Sequence, residues 1–162
     1  MTHKKSLLSI GIDPSGCGTT GIYIKSKFLN YPRVWKTQLI ANFPSEAFDK
    51  TLSFINEIKK NFEINIDIDV VVVEIPHKGK ELFKEIKMTR EFVGLLRNHF
   101  KSKFKGHIPS HKNKELTTNL INKFGKKNEH WIHARAILEA HFNEKTLKFK
   151  CENWKWVETN AC

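Results

Sequence analysis

The apolar and polar positions divide the chain into short strand-like runs and longer helix-like stripes. Residues 6–12 (SLLSIGI) are short and almost wholly apolar, the pattern of a buried strand. Asp13-Pro14-Ser15-Gly16-Cys17-Gly18-Thr19-Thr20 follows, dense in glycine and led by Asp-Pro, which is turn chemistry. Strand patterns resume at 21–28 and 33–41, so this part of the chain predicts an antiparallel meander. From Ser45, read as an N-cap, Phe48, Leu52, Ile55 and Phe62 recur at helical spacing. Residues 68–75 (IDVVVVEI) give the strongest strand signal. A continuous valine run implies burial on both faces, as in a central parallel strand, and Pro76 ends it.

Beyond Pro76, residues 80–104 predict a long basic helix with Leu82, Phe83, Ile86, Phe92, Leu95, Leu96 and Phe100 inside. A short strand near 106–109 precedes helices at about 112–124 and 129–143, the last with a stripe of Trp131, Ala134, Leu138 and Phe142. The order β-β-β-α-β-α-β-α-α predicts an α/β fold: a mixed sheet, antiparallel first and parallel afterwards, flanked by helices. No internal repeat or Pro/Gly/Ser linker interrupts it. Residues 1–145 therefore read as one domain, and 146–162 as a basic C-terminal extension holding Phe149, Trp154 and Trp156, expected as a last strand or an arm.

Composition narrows the class of partner. The 162 residues are 40% hydrophobic, enough for a packed core rather than a disordered chain. Lys and Arg number 28 against 17 Asp and Glu, a net charge of +11 with a pI near 9.6. Such a surplus favours a polyanion, because neutralising phosphates releases counterions, although a membrane surface attracts the same charge. Cys17, Cys151 and Cys162 form no CxxC pair, so neither a zinc site nor a disulfide framework is indicated. No run approaches a membrane span, and the first residues lack the apolar stretch of a secretory signal, so a cytoplasmic protein is expected.

The candidate chemistry lies at the ends of the buried strands. Asp13 ends the first and Glu74 the valine-rich one, where an acid is costly unless exposed, paired or bound to a cation. If the two strands are neighbours, the carboxylates converge at one sheet end, and a divalent cation would relieve their repulsion. Alternatively each acid caps a turn. His130 and His133 share one face at the start of the last helix, with Glu129 a near-neighbour of His133, and the three would add ligands, or else form a polar first turn favoured by the helix dipole. His141 lies too far along to join them and reads as structural or surface. His77, Lys78 and Lys80, in the loop after Glu74, are candidates for nucleic-acid contact. So are Lys112, Lys114, Lys126 and Lys127, with Lys123 a further phosphate candidate.

These segments resemble a known family. Ser9-Ile-Gly-Ile-Asp-Pro-Ser-Gly-Cys-Gly-Thr-Thr-Gly-Ile is similar to the opening of RuvC-type Holliday-junction resolvases. Val70-Val-Val-Val-Glu74 resembles their second acidic strand, and Ile108-Pro109-Ser110 with Lys112 and Lys114 their Pro-x-x-x-Lys stretch. His130-Trp-Ile-His133-Ala134-Arg-Ala136 is similar to their closing Asp/His-x-x-Asp-Ala-x-Ala helix. The matches come in family order and span nearly the whole chain.

The resemblance implies an RNase H-like fold and a structure-selective endonuclease cutting branched DNA, four-way junctions above all, with two Mg²⁺ or Mn²⁺ ions per site. It places Asp13, Glu74, His130 and His133 on the metal-binding positions, with Glu129 as a possible supplement, and implies a homodimer that uses helix 80–104. His133, where the family usually has Asp, is a departure that favours Mn²⁺ over Mg²⁺. Two other readings stay open: a YqgF-like nuclease of ribosomal RNA processing, and a non-catalytic nucleic-acid-binding module on the same fold. A sugar-kinase reading, suggested by the first turn, needs two such domains and a second phosphate loop.

Overall fold

The valine run lies at the middle of the structure, as its two-sided burial requires. The computed structural model describes residues 6–27, 33–61, 66–76 and 84–152, with side chains in the last helix described as far as Asn143. Strand β4 (Ile66–Glu74) pairs in parallel with β1 (Ser6–Asp13). On the other side of β1 lie β2 (Gly18–Lys27) and then β3 (Val34–Ala41), both pairings antiparallel. A short β5 (Phe104–His107) joins the far side of β4 in parallel, giving the order β3-β2-β1-β4-β5. The mixed sheet expected from the element order is the one observed.

Helices cover both faces. Helices α1 (Pro44–Lys60) and α2 (Lys84–Phe100) cross over between successive parallel strands and bury one face. Helices α3 (Lys114–Phe124) and α4 (Glu129–Glu152) cover the other. Strand alternation sorts the residues. Ile10, Ile12, Val71 and Val73 point into the α1–α2 layer with Phe92 and Leu96. Val70, Val72 and Tyr23 meet Trp131, Ile132 and Leu138 on the α4 side.

Local chemistry moves several boundaries. Helix α1 is entered through Phe43 with Pro44 in the first turn, not through Ser45 as N-cap, because proline's fixed φ suits a position whose N–H needs no partner. The helix expected to run to 104 stops at Phe100: Lys101 takes φ 52, a single 3-10 turn follows, and Phe104 starts β5. Pro109, without an N–H for the ladder, opens a 3-10 turn (Pro109–His111) instead of ending a strand. Asn113 caps α3 by accepting from the Leu116 N–H, so Lys112 stands outside the helix. Helix α4 runs on through residues 146–152, expected as a strand or arm. Phe62, Leu82, Phe83, Trp154 and Trp156 lie outside the described residues. Among the described residues no helix is long and apolar enough to cross a membrane.

Two glycines bring α4 close to the sheet. A Cβ on Gly11 would stand 2.2 Å from the Ala134 carbonyl oxygen, and one on Gly21 would stand 2.0 Å from the carbonyl carbon and oxygen of His130. Helix backbone therefore rests directly on strand backbone, at the end where Asp13 sits.

Candidate functional site

One transverse row of the sheet assembles the site. Asp13 faces Gly21 across β1–β2, and Gly21 faces Gln38 across β2–β3. On the other side Ile12 is level with Val73, so Asp13 and Glu74 follow together, and Glu74 is level with His107 on β5. Residues on one row share a face. The side chains of Gln38, Asp13 and His107 accordingly reach α4 or the turn that leads to it, and Glu74 reaches it through Lys112.

Helix α4 answers with its first turns. His130 Nδ1 lies 3.2 Å from Asp13 Oδ2, and His130 Nε2 lies 3.8 Å from Glu129 Oε1. One turn on, His133 Nδ1 accepts from the Lys112 ammonium at 3.0 Å. Lys112 also donates to both oxygens of Glu74, at 3.0 and 2.9 Å. Asp13, Glu74, His130 and His133 are thus brought together, with Glu129 at the edge and Lys112 among them. A cleft of about 190 Å³, lined by Asp13, Pro14, Glu74, Pro76, Ile86 and Thr89, opens beside the two acids. Thr89 Oγ1 accepts the Gly16 N–H at 3.1 Å, tying the turn after Asp13 to α2.

The electrostatics separate the two histidines. The hydrogen bond to Asp13 pushes His130 above the usual imidazole range against the opposing effect of burial, and the charges of Asp13 and Glu129 add to the rise. Burial, and then the Lys112 ammonium, push His133 below that range, consistent with a neutral ring accepting at Nδ1. Glu74 is raised by burial and by the Asp13 carboxylate, which together outweigh the pull of Lys112. Two carboxyls held this close under partial burial mark a place where positive charge is favoured.

These residues fit a divalent cation on one condition. Two carboxylates and two imidazoles suit a borderline ion such as Mn²⁺ better than Mg²⁺, which prefers oxygen. Glu74, however, already has an ammonium on both its oxygens, with only 13% of either side chain exposed. A cation at Glu74 would have to displace Lys112. Among the described residues no group of three or more His, Cys, Asp or Glu side chains forms a ready-made metal cage.

Sequence reasoning placed Lys112 with the phosphate contacts, and the structure instead turns it inward between Glu74 and His133. Lys114, Lys126 and Lys127 are exposed, the last two in the 3-10 turn just before α4. Lys123 is exposed, its ammonium 5.3 Å from the Phe124 ring centre. His77, Lys78 and Lys80 lie outside the described residues. His141 is buried and meets His107 Nε2 at 2.9 Å, while His107 Nδ1 meets His111 at 3.0 Å. Gln38 was not singled out at all: within one strand of sequence nothing shows that it shares a row with Asp13.

No protein-family model matches the chain, and no curated protein sequence matches it. Solved structures do. The Thermus thermophilus RuvC structure superposes with a TM-score of 0.56 at 14% identity, covering 88% of this chain and 96% of that one. T. thermophilus RuvC in complex with a Holliday junction substrate matches with a TM-score of 0.55 at 15% identity, over 88% and 96% of the two chains. The likeness shows the fold: the chain has an RNase H-like mixed sheet flanked by helices, in the arrangement of RuvC.

Proposed function

We propose that the protein is a metal-dependent endonuclease of the RuvC type, cutting phosphodiester bonds in branched DNA, four-way junctions in particular. The observation that supports this best is the meeting of Asp13, Glu74, His130 and His133 at one end of the central strands of this fold. The net charge of +11 suits a nucleic-acid substrate, and a neighbour of the same fold was solved with a Holliday junction. Two divalent ions bound at such a site would supply an activated water and charge stabilisation for phosphodiester hydrolysis. Asp13 and Glu74 hold that positive charge at the end of the sheet. Asp13 fixes the ring of His130, and His133 offers a neutral nitrogen. Lys112 neutralises Glu74 until a cation does. Lys114, Lys126 and Lys127 contact phosphates, as do Lys78 and Lys80 beside His77 after Glu74. A homodimer would set two such sites on opposed strands of a junction.

Cleavage of a four-way junction, a duplex, single-stranded DNA and RNA, each with Mn²⁺ or Mg²⁺, tests the proposal. Junction cutting is expected, faster with Mn²⁺, and His133→Asp should shift the preference toward Mg²⁺. Preferential cutting of RNA would favour an RNA-processing nuclease instead. One observation favours a second reading: Lys112 already fills the charge requirement of Glu74, which suits a binding module without catalysis. Tight junction binding with no cutting in either metal, restored by His133→Asp, would establish that reading.

A further inference from the structure

We propose that Gln38 is a positioning residue that caps α4 from the edge strand and so holds His130 on Asp13. The proposal rests on the nuclease reading for its effect on cutting, but not for its geometry. The first N–H groups of a helix have no partner within it, and a side chain just before the helix normally supplies one. Asn128 occupies that position here and is engaged elsewhere. Its amide nitrogen donates to the Phe124 carbonyl at 2.7 Å, and its oxygen accepts from the Trp131 indole at 3.0 Å.

Gln38 takes over across some ninety residues of sequence. Its carbonyl oxygen accepts from the backbone N–H of His130 at 3.0 Å and of Trp131 at 3.3 Å. Its amide nitrogen donates to the Lys127 carbonyl at 2.8 Å. One side chain thus ties both the 3-10 turn and the helix that follows it.

The row of the sheet explains why this matters for His130. Gln38 and Asp13 flank Gly21, one on each side. His130 sits over that glycine, where a Cβ would meet its carbonyl at 2.0 Å. Its main chain is fixed by Gln38 on β3 and its ring by Asp13 on β1, two anchors on the strands either side of β2. Without Gln38 the first turn of α4 is free to fray, and the ring loses its fixed approach to Asp13.

The test compares Gln38→Ala and Gln38→Glu in the full chain. Amide hydrogen exchange at His130 and Trp131 is read first, since it needs no activity. Gln38→Ala should speed exchange at both amides while leaving the α1–α2 layer protected. Gln38→Glu keeps an oxygen facing the two N–H groups and should retain most of the protection, while losing the donor to the Lys127 carbonyl. With Mn²⁺ and junction DNA, Gln38→Ala should slow single-turnover cutting by about 10- to 100-fold, the scale of a displaced catalytic group. DNA affinity should not change, and Gln38→Glu should restore most of the rate. Unchanged exchange at both amides in Gln38→Ala overturns the proposal, as does an equal loss of affinity and rate. If Gln38→Ala does not fold, Gln38→Met, of similar length without the amide, is read in its place: faster exchange at both amides upholds the cap and unchanged exchange overturns it. A wild type that cuts nothing defeats the nuclease reading, while the exchange data still judge Gln38.

Discussion

The two faces of the sheet are built from alternate residues of the same strands, yet they have different compositions. The face under α1 and α2 is closed by aliphatic and aromatic side chains: Ile10, Ile12, Val71, Val73, Phe92 and Leu96 are all essentially inaccessible to water. The face under α4 starts the same way, with Val70 and Val72, and then changes at the strand ends to Asp13 and Glu74. On β1 the residues facing α4 include Gly11 and Asp13, while those facing α1 and α2 are Leu8, Ile10 and Ile12. The first face spends its residues on packing. The second gives up side-chain volume so that a helix can lie on bare backbone and bring histidines to carboxylates. Stability and chemistry are therefore separable by face, and the comparison can be tested by substitution on each.

The largest expected effect is on the α4 face. In the proposed nuclease Asp13→Asn and Glu74→Gln remove the charge that would hold a cation, and cutting should fall by about a thousandfold or more, the scale of metal stabilisation of a transition state. Binding of junction DNA should persist or tighten slightly, and thermal unfolding should move little. A variant that cuts at the wild-type rate would show that its carboxylate is no part of the site. On the opposite face the effect reverses. Phe92→Ala empties a fully buried position and should cost about 3–5 kcal/mol of stability by chemical denaturation. Below its midpoint, the fraction that remains folded should cut normally. Loss of cutting in a fully folded Phe92→Ala protein would mean that the two faces are not separable.

The smallest effect is the pH response of the metal-free protein. His130 is raised in the fold by its bond to Asp13, so its contribution to stability is complete below the ordinary value of 6.5 and is lost as pH rises through the raised value. His133 is lowered by burial and Lys112, so its contribution is present above 6.5 and is lost as pH falls through the lowered value. Ring titration by NMR should find His130 protonated at a pH where His133 is neutral. The reverse order would contradict the arrangement around Lys112. Because a metal needs a neutral ring, cutting should also decline on acidification earlier than an ordinary histidine would require.

Much of this was legible in the sequence, for reasons that differ by residue. The valine run announced a strand buried on both faces, and that alone placed Glu74 at the end of a central strand. Asp13 was legible because an apolar strand running into a glycine-rich turn exposes its last residue at the sheet end. His130 and His133 were legible as a helical pair. Lys112 was not: its inward turn depends on Pro109 opening a 3-10 turn and Asn113 starting α3 two residues beyond it, neither of which any apolar period records. The stop at Lys101 was hidden for a similar reason, since a non-glycine residue at φ 52 leaves no composition signal. Gln38 required the register of two strand pairings at once, and a slip of one residue would have put it on the other face.

The row that joins Gln38, Asp13, Glu74 and His107 also constrains how the chain can reach its folded state. Its contacts close very long loops: His130 meets Asp13 across 117 positions, the Gln38 cap spans 92, and Lys112 reaches Glu74 across 38. None can form by local zipping, and β1–β4 pairing closes the loop that holds β2, β3 and α1. Folding should therefore be slow for the protein's size, as non-local topologies are. The acids, histidines and lysine would come together late, once both layers have docked. A shortened chain lacking the start of α4 would lose both histidines, and one lacking β1 would lose Asp13 together with the strand that joins β2 to β4.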